Sequence, residues 1–355
     1  MSWEKFQEDA FNLTKKEANK LRNIVLSNYR QAIKTIDFNL KNQYAKILTG
    51  INPKNYYNEM IKHNRLDNLL KQVKYDYTLY SKKNETIIQK LLRLFFSNTF
   101  YRKYYAANWL SKKPVFAILP EKLIELTVYG TNEAWKNISK SMVNRFGDKT
   151  LYLPRSGTLK NLLAYNRAKE LRSIQNAITQ NLIQGKSYTQ SVSSIRDLIG
   201  REYKQGKIIK YTGSKANALR IIRTESNRIM NSASFAASQS LETDGVDVKR
   251  QLQAVLDNRT RGQSARMDGQ RVGVNEPFKY PGGVRAMTPG TTGVAKYDIN
   301  DRETVIDIIN GESPSIRRGR NPKTGKNEVF EYKGFDTWAK ENGLTKNVYG
   351  EYILK

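Results

Sequence analysis

The chain of 355 residues has no cysteine and a single histidine. Without cysteine there is no disulfide, no thiolate nucleophile and no Cys-rich zinc site. A lone His63 supplies neither a multi-histidine metal centre nor the histidine-rich core of common nucleases. A catalytic site would have to be built from carboxylates, Lys, Arg or Ser. Between Lys62, Asn64 and Arg65, His63 reads as an exposed helix residue. No uncharged apolar run reaches the length of about 18 residues that a bilayer span needs, and none follows a basic start, so neither a membrane partner nor a secretory signal is expected. Acid is scarce as well: 33 Asp and Glu face 61 Lys and Arg, a net charge of +28. Such an excess implies a polyanion nearby, and double-stranded DNA is the natural candidate.

Helical periodicity dominates the first half. Leu21, Ile24, Val25, Ala32, Ile36 and Leu40 recur at helical spacing and continue through Tyr44 and Ile47. This predicts one long amphipathic helix, with Thr14 and Glu17 at capping-box spacing and Gly50 as its stop. Pro53 resets the chain, and a second helix carries Tyr57, Ile61, Leu66, Leu69, Leu70, Val73 and Tyr77. A third runs from Asn84 to Trp109, where Tyr101, Tyr104 and Tyr105 stand among Arg102 and Lys103; they either pack a bundle core or stack on bases. Further helices are expected from Pro120 and around Ala134 to Met142, and the run Lys149 to Gly157 reads as a connector.

From Leu162 to Leu182 the pattern is helical again, Gly185 ends it, and Ser187 caps a helix with Val192, Ile195, Leu198 and Ile199. Gly185-Lys186-Ser187 lacks the preceding glycine and strand of a phosphate-binding loop. The basic run Arg201 to Lys210 is either a phosphate-contact patch or a solvated link. A helix over Lys215 to Leu241 carries Arg223-Thr224-Glu225, and its Ala and Ser residues allow close packing on a sheet built partly from Val246 to Gln253.

The region Leu252 to Asp301 is a knot of turns. Leu252, Ala254 and Leu256 alternate as in a strand, and Asp257 can cap the next turn or pair with Arg259 or Arg261. Asp268-Gly269, Pro281-Gly282-Gly283 and Pro289-Gly290 then punctuate the loop. Val305 to Ile309 suggest a short helix or strand. Gly311 to Asn327 is rich in Arg, Lys, Gly and Pro and reads as mobile or ordered only by a partner. Arg317, Arg318, Arg320, Lys323 and Lys326 are its candidate DNA or partner contacts. The aromatic tail, with Phe335 and Trp338, can dock back on the domain or on a neighbouring protein.

The order Asp257-Asn-Arg-Thr-Arg261, Met267-Asp-Gly-Gln270, Phe278-Lys-Tyr-Pro-Gly282, Pro289-Gly290 and Ile299-Asn300 resembles the C-terminal domain of the phage head morphogenesis family, the minor head proteins related to protein F of phage Mu. Ile221-Ile-Arg-Thr-Glu-Ser-Asn-Arg228 with Asn231 is similar to that family's Arg-Thr-Glu helix. Many members carry His or Cys between the first two motifs and close on Asn-Cys-Arg-Cys. Here Gln263, Ser264 and Ala265 and then Asn300-Asp-Arg-Glu303 stand there, so no metal site or other cofactor is expected. Arg223 and Glu225 either act on a ligand phosphate or tie their helix to Asp257, Arg259 or Asp268. The structural reading is preferred, with a network of Arg223, Glu225, Asp257, Arg259, Thr260, Asp268, Gly269, Pro281, Gly282 and Asn300.

The expected fold class is α+β: an elongated, mainly helical N-terminal region (1–155), a helical linker unit (156–210), a compact mixed helix-and-strand domain (211–310), and a basic loop with an aromatic tail (311–355). The resemblance implies a non-enzymatic minor head protein of the virion interior at the portal vertex, present in the host cytoplasm during assembly. Its implied partner is the portal protein, with the major capsid or scaffolding protein as further candidates, and its role lies in head assembly and in DNA packaging or delivery. The alternatives are a stand-alone DNA-binding protein, or a phosphate-ligand transferase or nuclease built from carboxylates.

Overall fold

The computed structural model describes residues 3–110, 159–206, 208–346 and 352–354. The expected helices at Pro120 and Ala134 and the connector at Lys149 to Gly157 lie outside the described residues, as do the side chains of Tyr101, Tyr104 and Tyr105. The chain divides into two compact units. One is built from Lys15–Leu92 and Leu151–Ile222, the other from Met1–Thr14, Arg93–Thr150 and Arg223–Lys355.

The first unit is mainly helical. Helix α1 (Trp3–Gln43) starts well before Thr14, so the capping-box spacing there marks no terminus, and it ends in a π-helical turn, Tyr44–Leu48. After the short α2 (Tyr56–Ile61) the chain kinks at His63 and Asn64, both with positive φ, and α3 runs unbroken over Arg65–Leu110. The second and third expected helices thus break at residues 62–64, and no Gly or Pro interrupts the chain between Arg65 and Leu110. His63 is exposed, at the kink and not within a regular helix.

Val25, Ala32, Ile36 and Leu40 of α1 form a fully buried stripe, and Val73, Tyr77, Ile88 and Leu91 do the same on α3. Asn28 donates to Asn84 at 2.8 Å and Asn39 to Asp76 at 2.7 Å, a pairing that makes α1 and α3 antiparallel. Helices α4 (Leu159–Ile183) and α5 (Tyr188–Ile199) complete the unit through Ile174, Ile178, Leu182, Val192 and Ile195. Ser187 caps α5, as its sequence predicts, and the structure adds a full capping box with Gln190. Gly185 is required where it stands: a Cβ there would meet the Pro53 carbonyl oxygen at 2.7 Å. The basic run after Gly200 is no loop but a hairpin, β1 (Glu202–Gln205) with β2 (Ile208–Tyr211).

In the second unit the long helix α6 (Gly213–Thr243), whose first residues belong to the helical unit, lies on a three-stranded antiparallel sheet. The strand order is β4 (Arg271–Gly273), β3 (Val248–Gln253), β7 (Thr304–Ile309). Ala233 and Ala237 are fully buried on α6, and Ser238 donates to Asp307 of β7 at 2.8 Å. Lys103 of α3 reaches the same carboxylate at 2.8 Å. Helix α7 (Gly262–Met267) lies between β3 and β4, and β5 (Phe278–Lys279), β6 (Arg285–Ala286) and α8 (Ala295–Asp298) fill the connection between β4 and β7. The arginine-rich segment is an ordered hairpin, β8 (Ile316–Arg320) with β9 (Asn327–Glu331). It joins the segment that follows β3, where the Arg320 amide donates to the Leu256 carbonyl at 2.8 Å. The tail docks back on this unit: Phe335 and Trp338 of α9 (Phe335–Glu341) pack with Ala254, Leu256 and Tyr352 beside the hairpin of β10 (Leu344–Lys346) and β11 (Tyr352–Leu354). The N-terminal region is therefore mainly helical and the C-terminal region mixes helices with small sheets. Among the described residues no helix is long and apolar enough to cross a membrane.

Tyr77 is buried and its hydroxyl donates to Glu170 at 2.7 Å. Tyr77→Phe should therefore lower the stability of the helical unit by about 1 to 2 kcal/mol. Tyr75→Phe on the exposed side should stay within about 0.5 kcal/mol of the parent. Denaturant unfolding followed by helix circular dichroism measures both.

Candidate functional site

The turn-rich region is held by carboxylates that each collect donors from several segments. Asp268, at the C-terminal end of α7, accepts from the Ala254 amide at 2.8 Å, the Phe335 amide at 2.8 Å, and Arg317 at 2.6 and 2.9 Å. Arg317 also donates to the carbonyls of Ala254 at 2.6 Å and Lys333 at 2.9 Å. One ion pair, with both side chains under 5% exposed, thus joins the end of β3, α7, β8 and the start of α9. Gly269 follows with φ +82 and donates to the Leu252 carbonyl at 2.8 Å.

Asp257 forms a second hub. It accepts from the Arg259 amide at 2.9 Å, from Thr260, and from both nitrogens of Arg302 at 2.6 and 2.9 Å. Burial raises its pKa, but the Arg302 and Arg259 bonds more than offset that and hold it at about 2. Pro281 and Gly282 form a turn whose Pro281 carbonyl accepts from the Tyr297 hydroxyl at 2.8 Å.

The Arg-Thr-Glu triplet reaches neither hub. Arg223 donates to Asn300 at 3.0 Å, and Thr224 accepts from the Asn300 amide at 3.0 Å. Asn300 has φ +53, a left-handed geometry that Asn tolerates. Glu225 pairs one turn along its own helix with Arg228 at 3.2 Å, both 2% exposed. The named residues therefore form separate knots: Arg223 with Asn300, Asp257 with Arg259 and Thr260, Asp268 with Arg317. Of the five candidate contact residues, Arg317 is buried in its clamp, while Arg318, Arg320, Lys323 and Lys326 are exposed on the β8–β9 hairpin and its turn.

Two buried arginines complete the arrangement: Arg228, whose i,i+3 spacing predicts its pairing with Glu225, and Arg250, which sequence reasoning passed over. Arg228 donates to the Gly290 carbonyl at 2.6 Å, where a Cβ on Gly290 would touch the Arg228 backbone at 3.4 Å. Arg250, wholly buried, lies between the rings of Phe235 and Phe278 at 4.5 and 5.1 Å and bonds the carbonyls of Gly273, Glu276 and Met287. Its place was legible, because Val248, Arg250 and Leu252 alternate on the inward face of one strand. The segments where Cys-rich relatives carry His or Cys do lie together. Arg261 pairs with Asp301 at 3.1 Å, Gln263 donates to the Lys296 carbonyl at 2.7 Å, and Ser264 bonds Glu303. Hydrogen bonds occupy that corner, and among the described residues no group of three His, Cys, Asp or Glu side chains could hold a metal ion.

Residues 172–302 match the family described as Phage Mu protein F like protein. The minor head protein GP7 of Bacillus phage SPP1 is 26% identical over 325 residues, 92% of each chain. Residues 172–302 thus carry a phage Mu protein F-like region, and the chain is similar to a minor head protein along most of its length. An NAD(+)-arginine ADP-ribosyltransferase, EFV of Enterococcus faecalis, is 31% identical over 224 residues, which cover 61% of this chain and 42% of that protein. The chain thus spans less than half the length of that relative. No solved structure matches it significantly. The knots described above fall mainly inside the matched family region, save for Arg317 and the tail it anchors.

Three buried carboxyls of this chain are shifted toward their protonated form. Burial raises Glu225 to about 7, with Arg228 pulling it down and Asp298 pushing it up. Burial also raises Asp301, reinforced by the charge of Glu303, and raises Glu303 against bonds from Ser264 and Tyr280. The folded state therefore binds protons that the unfolded chain releases. This contribution is complete below the ordinary carboxylate range and is lost as pH rises through neutrality. Asp257 acts in the opposite sense, and only below its ordinary range. Amide protection factors over residues 248–309 should fall on the order of tenfold between about pH 5 and about pH 8. Glu225→Gln should flatten that slope; an unchanged slope would contradict the assignment.

Proposed function

We propose that this chain is a structural protein of the phage head interior that works at the portal vertex, in procapsid assembly and in DNA packaging or delivery. The observation that carries the reading is the match to a minor head protein along 92% of both chains. Physical properties support it. The chain carries +28, and Arg318, Arg320, Lys323 and Lys326 cluster on one exposed hairpin whose backbone is tied to Leu256, a rigid mount for phosphate contacts. The clamps of Asp257, Asp268, Arg228 and Arg250 consume their functional groups in internal bonds, which favours a docking module over a reacting centre. The portal protein is the proposed partner, with major capsid or scaffolding protein next, and duplex DNA is the proposed polyanion.

The transferase relative supports no transfer of its activity, because more than half of that protein lies outside the match. A shared region in a head protein and in a larger enzyme fits a module that supplies contacts to both. A stand-alone DNA-binding protein is the competing reading. Light scattering of the full chain mixed separately with portal protein and duplex DNA distinguishes them. The portal complex should survive high salt. DNA binding should fall steeply with salt, and more than tenfold in Arg318→Glu/Arg320→Glu/Lys323→Glu/Lys326→Glu. DNA binding without any portal complex would overturn the proposal in favour of the competing reading.

A further inference from the structure

The helical unit carries an open cleft of about 670 Å³ that the reading above does not use. Its walls come from α1, through Arg30, Ile33 and Lys34, and from α5, through Tyr188, Val192 and Arg196; Gly200 to Glu202 close one end. Val192 is buried and Ile33 half-buried, so the floor is apolar, while four cations, Arg30, Lys34, Arg196 and Arg201, stand against one lining acid, Glu202.

Three of these cations already have carboxylate partners. Arg30 grips Glu202 through two nitrogens at 2.9 and 3.1 Å, Arg196 meets Asp37 at 3.1 Å, and Arg201 meets Asp197. Lys34 has no polar partner among the described residues. The Arg196 and Arg201 side chains are about half exposed, at 53% and 51%, so their pairs are cheap to exchange for another carboxylate.

From this cleft we infer a docking site for an acidic peptide segment of a partner protein, with aliphatic side chains on the floor and carboxylates on Lys34, Arg196 and Arg201. Charge complementarity selects the occupant. A nucleic-acid backbone is disfavoured because Asp37, Asp197 and Glu202 line or flank the cleft and would face its phosphates, whereas a peptide can space its carboxylates between them. An apolar floor between two helices is the geometry that receives an amphipathic segment. This inference stands independently of the portal and DNA roles proposed above.

The probe is a fluorescein-labelled amphipathic peptide of Glu and Leu in helical register, titrated into the full-length protein by fluorescence anisotropy. A Lys and Leu peptide of the same pattern and a duplex DNA of similar length serve as comparators. The Glu/Leu peptide should bind and the Lys/Leu peptide should not. Lys34→Glu/Arg196→Glu should weaken binding at least tenfold with an unchanged circular dichroism melt. Lys249→Glu/Arg285→Glu, the same charge change at exposed positions of the other unit, should leave it within about twofold. If the melt of the first variant shifts, Lys34→Gln alone must still weaken binding. No binding, equal loss in both double variants, or full displacement by the DNA would each overturn the inference.

Discussion

The C-terminal module depends on a buried ion pair between Asp268 and Arg317. Asp268 has acceptor capacity for several donors and meets them from three parts of the chain, while Arg317 meets two carbonyls besides. A charge taken out of water in this way is tolerated only when its partners are complete, so every segment that supplies one is held in register by the same carboxylate. Loops with little apolar surface acquire a single conformation through this device. The tail, whose Phe335 and Trp338 build the adjoining core, is fixed by the same pair.

The pattern repeats with guanidinium groups serving as cross-links. Arg250 gathers three carbonyls between two aromatic rings, Arg228 fastens Gly290 to α6, Arg261 collects the carbonyl of Tyr297 and the carboxylate of Asp301, and Arg302 forks onto Asp257. The planar fork suits each task, since it delivers several donors in fixed directions. Arg228, Arg250 and Arg317 are buried inside the fold in this way. What remains on the surface, notably on the β8–β9 hairpin, is the fraction available to a polyanion. The likeness to a minor head protein and the exposed basic hairpin then fall on one module.

Much of this was legible before any coordinates. The apolar stripes of α1 and α4, the Ser187 cap, the packing of small α6 residues on a sheet and the turn-bearing motifs of the family are local patterns with local causes. Three kinds of feature were not. The Asn84 region looks like a boundary because it is polar, yet its side chain meets Asn28 inside the bundle and the helix runs on. The two basic hairpins read as loops because their strands are four or five residues long and mostly exposed, so alternation carries no apolar signal. Arg317 reads as a surface contact because composition assigns arginine to water. Only the position of Asp268, 49 residues earlier, makes its burial affordable.

The most direct test of this account is a double-mutant cycle on that pair. Unfolding of Asp268→Ala, Arg317→Ala and the double variant should give single losses of about 3 to 5 kcal/mol and a coupling above about 2 kcal/mol. Protection of the backbone around Ala254 and Phe335 should collapse together in either single variant. Additive losses below about 1 kcal/mol, with that protection intact, would contradict the claim that the pair holds the module together.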